Sequence, residues 1–143
     1  MAFLMLISIF LWIGFIGAIS FMEAWLKFKA PGVTVPIGLG IGKLVFNALN
    51  KMEWLFSIAV ILGYLFNNSL VNFPGISWFI IPCIILIVQS FWLLPALDAR
   101  AKAVINGEAV KPSSLHWYFI SAELFKITSL FVLGIQLFKE FGL

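Results

Sequence analysis

The side chains here that could do chemistry are Glu23, Lys27, Asn47, Asn50, Glu53, Gln89, His116, Glu123 and Lys126. Glu23 and Lys27 stand four apart, the spacing of a helical ion pair. Asn50 and Glu53 are three apart, so an amide and a carboxylate share one helix face. Glu123 follows His116 by seven residues, which puts both on one face about 10 Å apart along the axis. Lys126 lies three residues beyond Glu123, within reach of it. Together these residues are candidates for binding an ion or small ligand. Glu53, His116 and Glu123 are the weaker candidates for a metal, because an imidazole with carboxylates can bind a cation. The same groups could supply an acid, a base and a ligand to an enzyme, provided Glu123 is tuned toward the working pH. No spacing selects among these. There is one His and one Cys, with no HxxxH or CxxC pair, so neither haem nor metal is specified. Catalytic residues and cofactor are left unassigned.

The elements that must hold these groups are written in the composition. Of 143 residues, 63% are hydrophobic and 10% charged, and mean hydropathy is +1.12. A soluble domain carries about 25% charge, and a chain this short cannot bury so much apolar surface in one core. Lipid is its natural solvent. The expected fold is an all-α integral membrane four-helix bundle forming a single domain. The spans are expected at residues 3–27, 52–70, 76–97 and 115–138, each near the twenty residues that hydrocarbon requires. The first run has no basic stretch before it and exceeds the apolar core of a secretory signal, so it is expected to remain as a span.

Breaks and caps follow from particular residues. "KAPG" ends the first helix, since Pro31 disfavours a helical Ala30. The second helix begins well before its span, near Gly38, and is amphipathic while it crosses the interface. Pro82 kinks the third helix, and Pro95 bends or ends it. Ser113 or Ser114 caps the fourth. Gly38, Gly40 and Gly42 are compatible with close packing or an anion nest, and the Walker pattern is absent. Cys83, alone in an apolar run, reads as a small buried hydrophobe.

Lysine and arginine set the orientation. Lys27, Lys29, Lys43 and Lys51 flank the first loop, and Arg100, Lys102 and Lys111 the third; the opposite side has Lys139. The positive-inside rule places the basic loops in the cytoplasm and both termini outside. The expected location is a cell membrane, taken as a bacterial inner membrane. The expected partners are the lipid bilayer and either a homo-oligomer or another membrane protein. Scattered basic residues make no nucleic-acid face. With this topology the polar side chains of all four spans fall in the cytoplasmic half, where they are expected to share one cavity.

Four stretches resemble a four-span membrane family that includes human transmembrane protein 205 and short bacterial proteins. They are "GAISFMEAWLKFKAP", "IGLGIGKLVFNAL", "LLPALDARA" and "SLHWYFISAELFKITSLFVLG". Pro31, Gly42, Phe46, Arg100 and His116 match family-like positions, whereas Glu123 stands where the family pattern implies a smaller or neutral polar residue. The resemblance implies an inner-membrane four-helix bundle, in a family some of whose members look linked to handling of metals or metal-containing drugs.

The reading that results is a small polytopic protein that binds an ion or small ligand in a cytoplasmic-facing intramembrane cavity, with transport as an extension. The alternatives are a membrane-embedded enzyme or metal-binding protein using the Glu and His groups, and an accessory bundle whose polar groups specify packing. Ionisable groups inside a membrane often mark pathways, but the outer half offers no polar route.

Overall fold

The computed structural model describes residues 2–67, 70 and 73–142. Residues 68 and 69, expected to close the second span, and 71 and 72 of the uncharged loop lie outside the described residues. Among the described residues, four helices are long and apolar enough to cross a membrane. They are α1 (Phe3–Lys29), α2 (Val35–Leu65), α3 (Pro74–Ile105) and α4 (Leu115–Glu140).

Local chemistry explains where these helices start, stop and widen. In α1 the segment Gly17–Glu23 is a π-helical turn, and Lys27–Lys29 tightens to a 3-10 turn before the chain leaves the helix. Ala30 is extended, with ψ at 137°, as a residue before proline must be. Gly32 then takes a left-handed φ of 79°, a region open to glycine without a side-chain clash. Pro36 lies in the first turn of α2, where its missing N–H leaves no intrahelical bond unmade. The 31 residues of α2 extend about 46 Å, well beyond a hydrocarbon layer of about 30 Å.

Two of the three prolines of α3, Pro82 and Pro95, are accommodated within a continuing helix. Pro82 has no N–H to offer the carbonyl four residues back. That carbonyl, on Trp78, accepts instead from the Ser129 hydroxyl of α4. Before Pro95 the helix widens into a π turn over Gln89–Leu93 and then runs on to Ile105. Between the two expected caps of α4, Ser113 is the one that bonds. Its hydroxyl accepts from Leu115 N–H at 3.2 Å.

Successive helices pack side by side, and α4 closes the ring against α1. Short connections make neighbours antiparallel, so the basic loops share one end of the bundle. At the opposite end the interior is apolar: Met5, Ile9, Val60, Leu130, Leu133 and Leu137 are fully buried. A Cβ on Gly63 would fall 2.2 Å from Met5 Cγ. Its absence lets α1 and α2 approach closely, as small residues do at membrane helix interfaces. Large apolar side chains such as Phe3, Leu44, Phe91 and Phe125 point outward, an outer surface that suits lipid better than water.

Candidate functional site

Near the middle of the bundle an ion network takes a side chain from every helix. Lys126 of α4 donates to Glu53 of α2 and, at 3.3 Å, to Glu123 Oε1 of its own helix. Trp12 of α1 donates its indole N–H to Glu53 Oε1 at 2.9 Å. Gln89 of α3 donates Nε2–H to Glu123 Oε1 at 2.8 Å. Trp12, Glu123 and Lys126 are completely buried, and Glu53 and Gln89 nearly so. Two carboxylates face one ammonium, which leaves one formal negative charge in excess. Charges at this depth are costly unless paired, and each one here touches its opposite. Glu123 Oε2 and Gln89 Oε1 are buried without a hydrogen-bond partner.

Gln89 reaches this centre because it opens the π turn of α3. The extra residue of such a turn re-aims the side chains beside it, and π turns recur at functional sites. Ser90, next along, faces α2. Its hydroxyl accepts from Asn50 Nδ2 and from the Trp54 indole, each at 2.9 Å, and donates to Leu86 O at 2.7 Å. Asn50 therefore belongs to an α2–α3 clasp beside the ion network.

Toward the lysine-rich end lies a cavity of ≈ 140 Å³ walled by all four helices. Its polar lining is Lys27, Lys43, Asp98 and His116; Phe28, Phe46 and Phe119 are among its apolar walls. Lys27 is paired with Glu23 Oε2 at 3.2 Å, and its ammonium sits 5.3 Å from the Phe46 ring centre, a cation–π distance. Lys27 lies so near α2 that a Cβ on Gly42 would come 2.7 Å from its Nζ. Asp98 accepts from Asn47 Nδ2 at 3.0 Å.

The sequence-derived candidates thus fall into two neighbourhoods and the clasp between α2 and α3. Glu53, Gln89, Glu123 and Lys126 share the buried network. Lys27 and His116 line the cavity, with Glu23 behind Lys27 and Asn47 behind Asp98. Of the three weaker metal candidates, Glu53 and Glu123 meet through Lys126 while His116 lines the cavity. Among the described residues, no three His, Cys, Asp or Glu side chains gather as a metal centre would require.

Sequence reasoning missed Trp12, Trp54, Ser90 and Lys43 as site residues. Trp12 had a usable signal: tryptophan in membrane helices favours the interface, and this one sits deep in an apolar run, on a face with Met5, Ile9 and Ile16. Ser90 had one too, as a second polar residue beside Gln89 in "IVQSFW". The fold and this site together define a class: a four-helix bundle of membrane-spanning length with a charged, hydrogen-bonded centre. No family model, curated protein or solved structure matches the chain.

Proposed function

We propose that this protein binds a small anionic amphiphile in the cavity at its lysine-rich end, with that end in the cytoplasm. The observation that carries the reading is the lining itself. Two ammonium groups, Lys43 and the Glu23-paired Lys27, and an imidazole line the cavity with one carboxylate, on walls otherwise largely apolar. An acidic head would lie by Lys27, Lys43 and His116, and an apolar body among Phe28, Phe46 and Phe119. Mostly apolar pockets with a few placed polar groups are the usual form of small-molecule sites. The network above closes the cavity off from the apolar far half, where Met5, Ile9, Leu130 and Leu133 fill the core. Binding and release from one side therefore suits a single chain better than passage through it. Kinship with the family of transmembrane protein 205 is also a proposal, resting on the four stretches quoted above.

The test is calorimetric titration of the protein in nanodiscs with octanoate, and with octylamine and octanol as controls of equal length. Octanoate should bind more tightly than either control. Lys43→Met and Lys27→Met should each weaken it about tenfold, the loss expected for one charge-assisted hydrogen bond. Equal binding of the three compounds, or lysine variants indistinguishable from wild type, would remove the reading. The accessory reading draws support from a different feature, the network that ties all four helices together. It predicts no saturable binding of any of the three compounds.

A further inference from the structure

The centre of the bundle has three faults that one particle would mend. Its carboxylates outnumber its ammonium by one. Glu123 Oε2 is buried and unpartnered. Gln89 Oε1, on the amide that already donates to the same carboxyl, is buried and unpartnered as well. Both side chains are more than nine-tenths buried. Two orphaned acceptors on adjoining groups cannot satisfy each other, because neither carries a hydrogen; leaving each unpaired costs its full desolvation.

We propose that Glu123 and Gln89 form a proton-binding site, in which one exchangeable proton is bonded to Glu123 Oε2 and donated to Gln89 Oε1. Hydronium of the aqueous phase supplies the proton: its O–H bond breaks to leave water, an O–H bond forms at Oε2, the excess charge of the network vanishes, and nothing is oxidised or reduced. Amide and carboxyl then pair through two hydrogen bonds, N–H to Oε1 and O–H to Gln89 Oε1. The groups that face this carboxyl fit a proton better than a metal ion. Lys126 from its own helix is an ammonium in direct contact, and Glu53 from α2 already accepts from that ammonium and from Trp12. α3 presents the neutral Gln89, and α1 brings only the neutral Trp12 indole. Hard divalent cations take about six or more oxygen ligands, and two free oxygens beside an ammonium make no such shell. Two further buried oxygens without partners, Ser20 Oγ and Glu23 Oε1, follow Trp12 along α1 toward Lys27 and the cavity. The site stands whether or not that cavity binds an amphiphile.

Infrared spectroscopy of the purified protein in detergent at neutral pH tests this through the C=O stretch of a protonated carboxyl. Wild type should show one such band, shifted after transfer to D₂O. Glu123→Gln should abolish it. Glu53→Gln should abolish it too, since Glu123 and Lys126 then balance as an ion pair. Gln89→Met should keep the band and move it to higher frequency, because the proton loses its acceptor; that shift separates Glu123 from Glu53 as the carrier. Circular dichroism checks that each variant is folded, and the wild-type band needs no variant at all. Four results overturn the proposal: no band in wild type, a band that survives Glu123→Gln, a band that never shifts in D₂O, or one that appears only when choline replaces sodium. The last would make this a sodium site.

Discussion

The two halves of this bundle are held by different physics. Toward the chain ends, Met5, Ile9, Val60, Leu130, Leu133 and Leu137 pack with glycines at 63 and 134, and α1 is drawn close to its neighbours. From the middle of the bundle toward the lysine-rich end, the helices meet through Glu53, Gln89, Glu123, Lys126, Asn50 and Ser90. In lipid no hydrophobic force separates a helix contact from a lipid contact, so the apolar half depends on shape alone. The polar half depends on partners, and each partner lost strands another. The apolar half should therefore yield gradually to substitution, whereas the polar half should fail at single positions.

The sharpest way to break that contrast is Lys126→Met. It fills the same space and leaves Glu53 and Glu123 facing each other with no cation. Removing one partner from a buried ionic cluster costs about 3–5 kcal/mol, so unfolding in mixed SDS micelles should move by that much or folded protein should not be recovered. A Leu133→Ala control reports the apolar half, and it should cost less. If Lys126→Met were the milder of the two, the network would not be what holds this half together.

Trp12→Phe comes next. The ring still packs edge-on against Phe79, 6.4 Å away, but the indole N–H to Glu53 is gone. Glu53 keeps Lys126, so the expected loss is about 1–2 kcal/mol in the same unfolding measurement. A double-mutant cycle of Trp12→Phe with Glu53→Gln should show coupling between them. Strict additivity would mean that Trp12 acts only by filling space.

These effects also show what could be read in advance. Four membrane-length helices were legible because hydropathy and length are enough to define a span. That Lys126 lies within reach of Glu123 followed from an i,i+3 spacing. Which further helices would send Trp12, Glu53 and Gln89 to the same point was not legible. Inter-helix register leaves no trace in one sequence, and neither does the π turn that aims Gln89, since a second π turn forms over Gly17–Glu23 with no proline in it. Sequence reasoning expected one recess; the structure has a sealed ion network and a separate cavity. A charged centre in hydrocarbon is stable only when its partners close over it, and His116, seven residues before Glu123, lies about 10 Å along the axis from that centre.

The smallest effect probes a hydrogen bond that lies away from the ion network. Ser129 donates to the Trp78 carbonyl that Pro82 leaves without its helical donor, so its role is repair of the backbone. Ser129→Ala should cost about 0.6 kcal/mol, the average for inter-helix hydrogen bonds in membranes. The diagnostic comparison is made in a Pro82→Ala background. There residue 82 regains an N–H, the Trp78 carbonyl can accept it in the normal helical manner, and Ser129→Ala should cost almost nothing. The two substitutions should thus be non-additive. An equal cost with and without Pro82 would show that Ser129 binds α3 to α4 for its own sake, and the line between a half held by packing and a half held by polar partners would have to be redrawn.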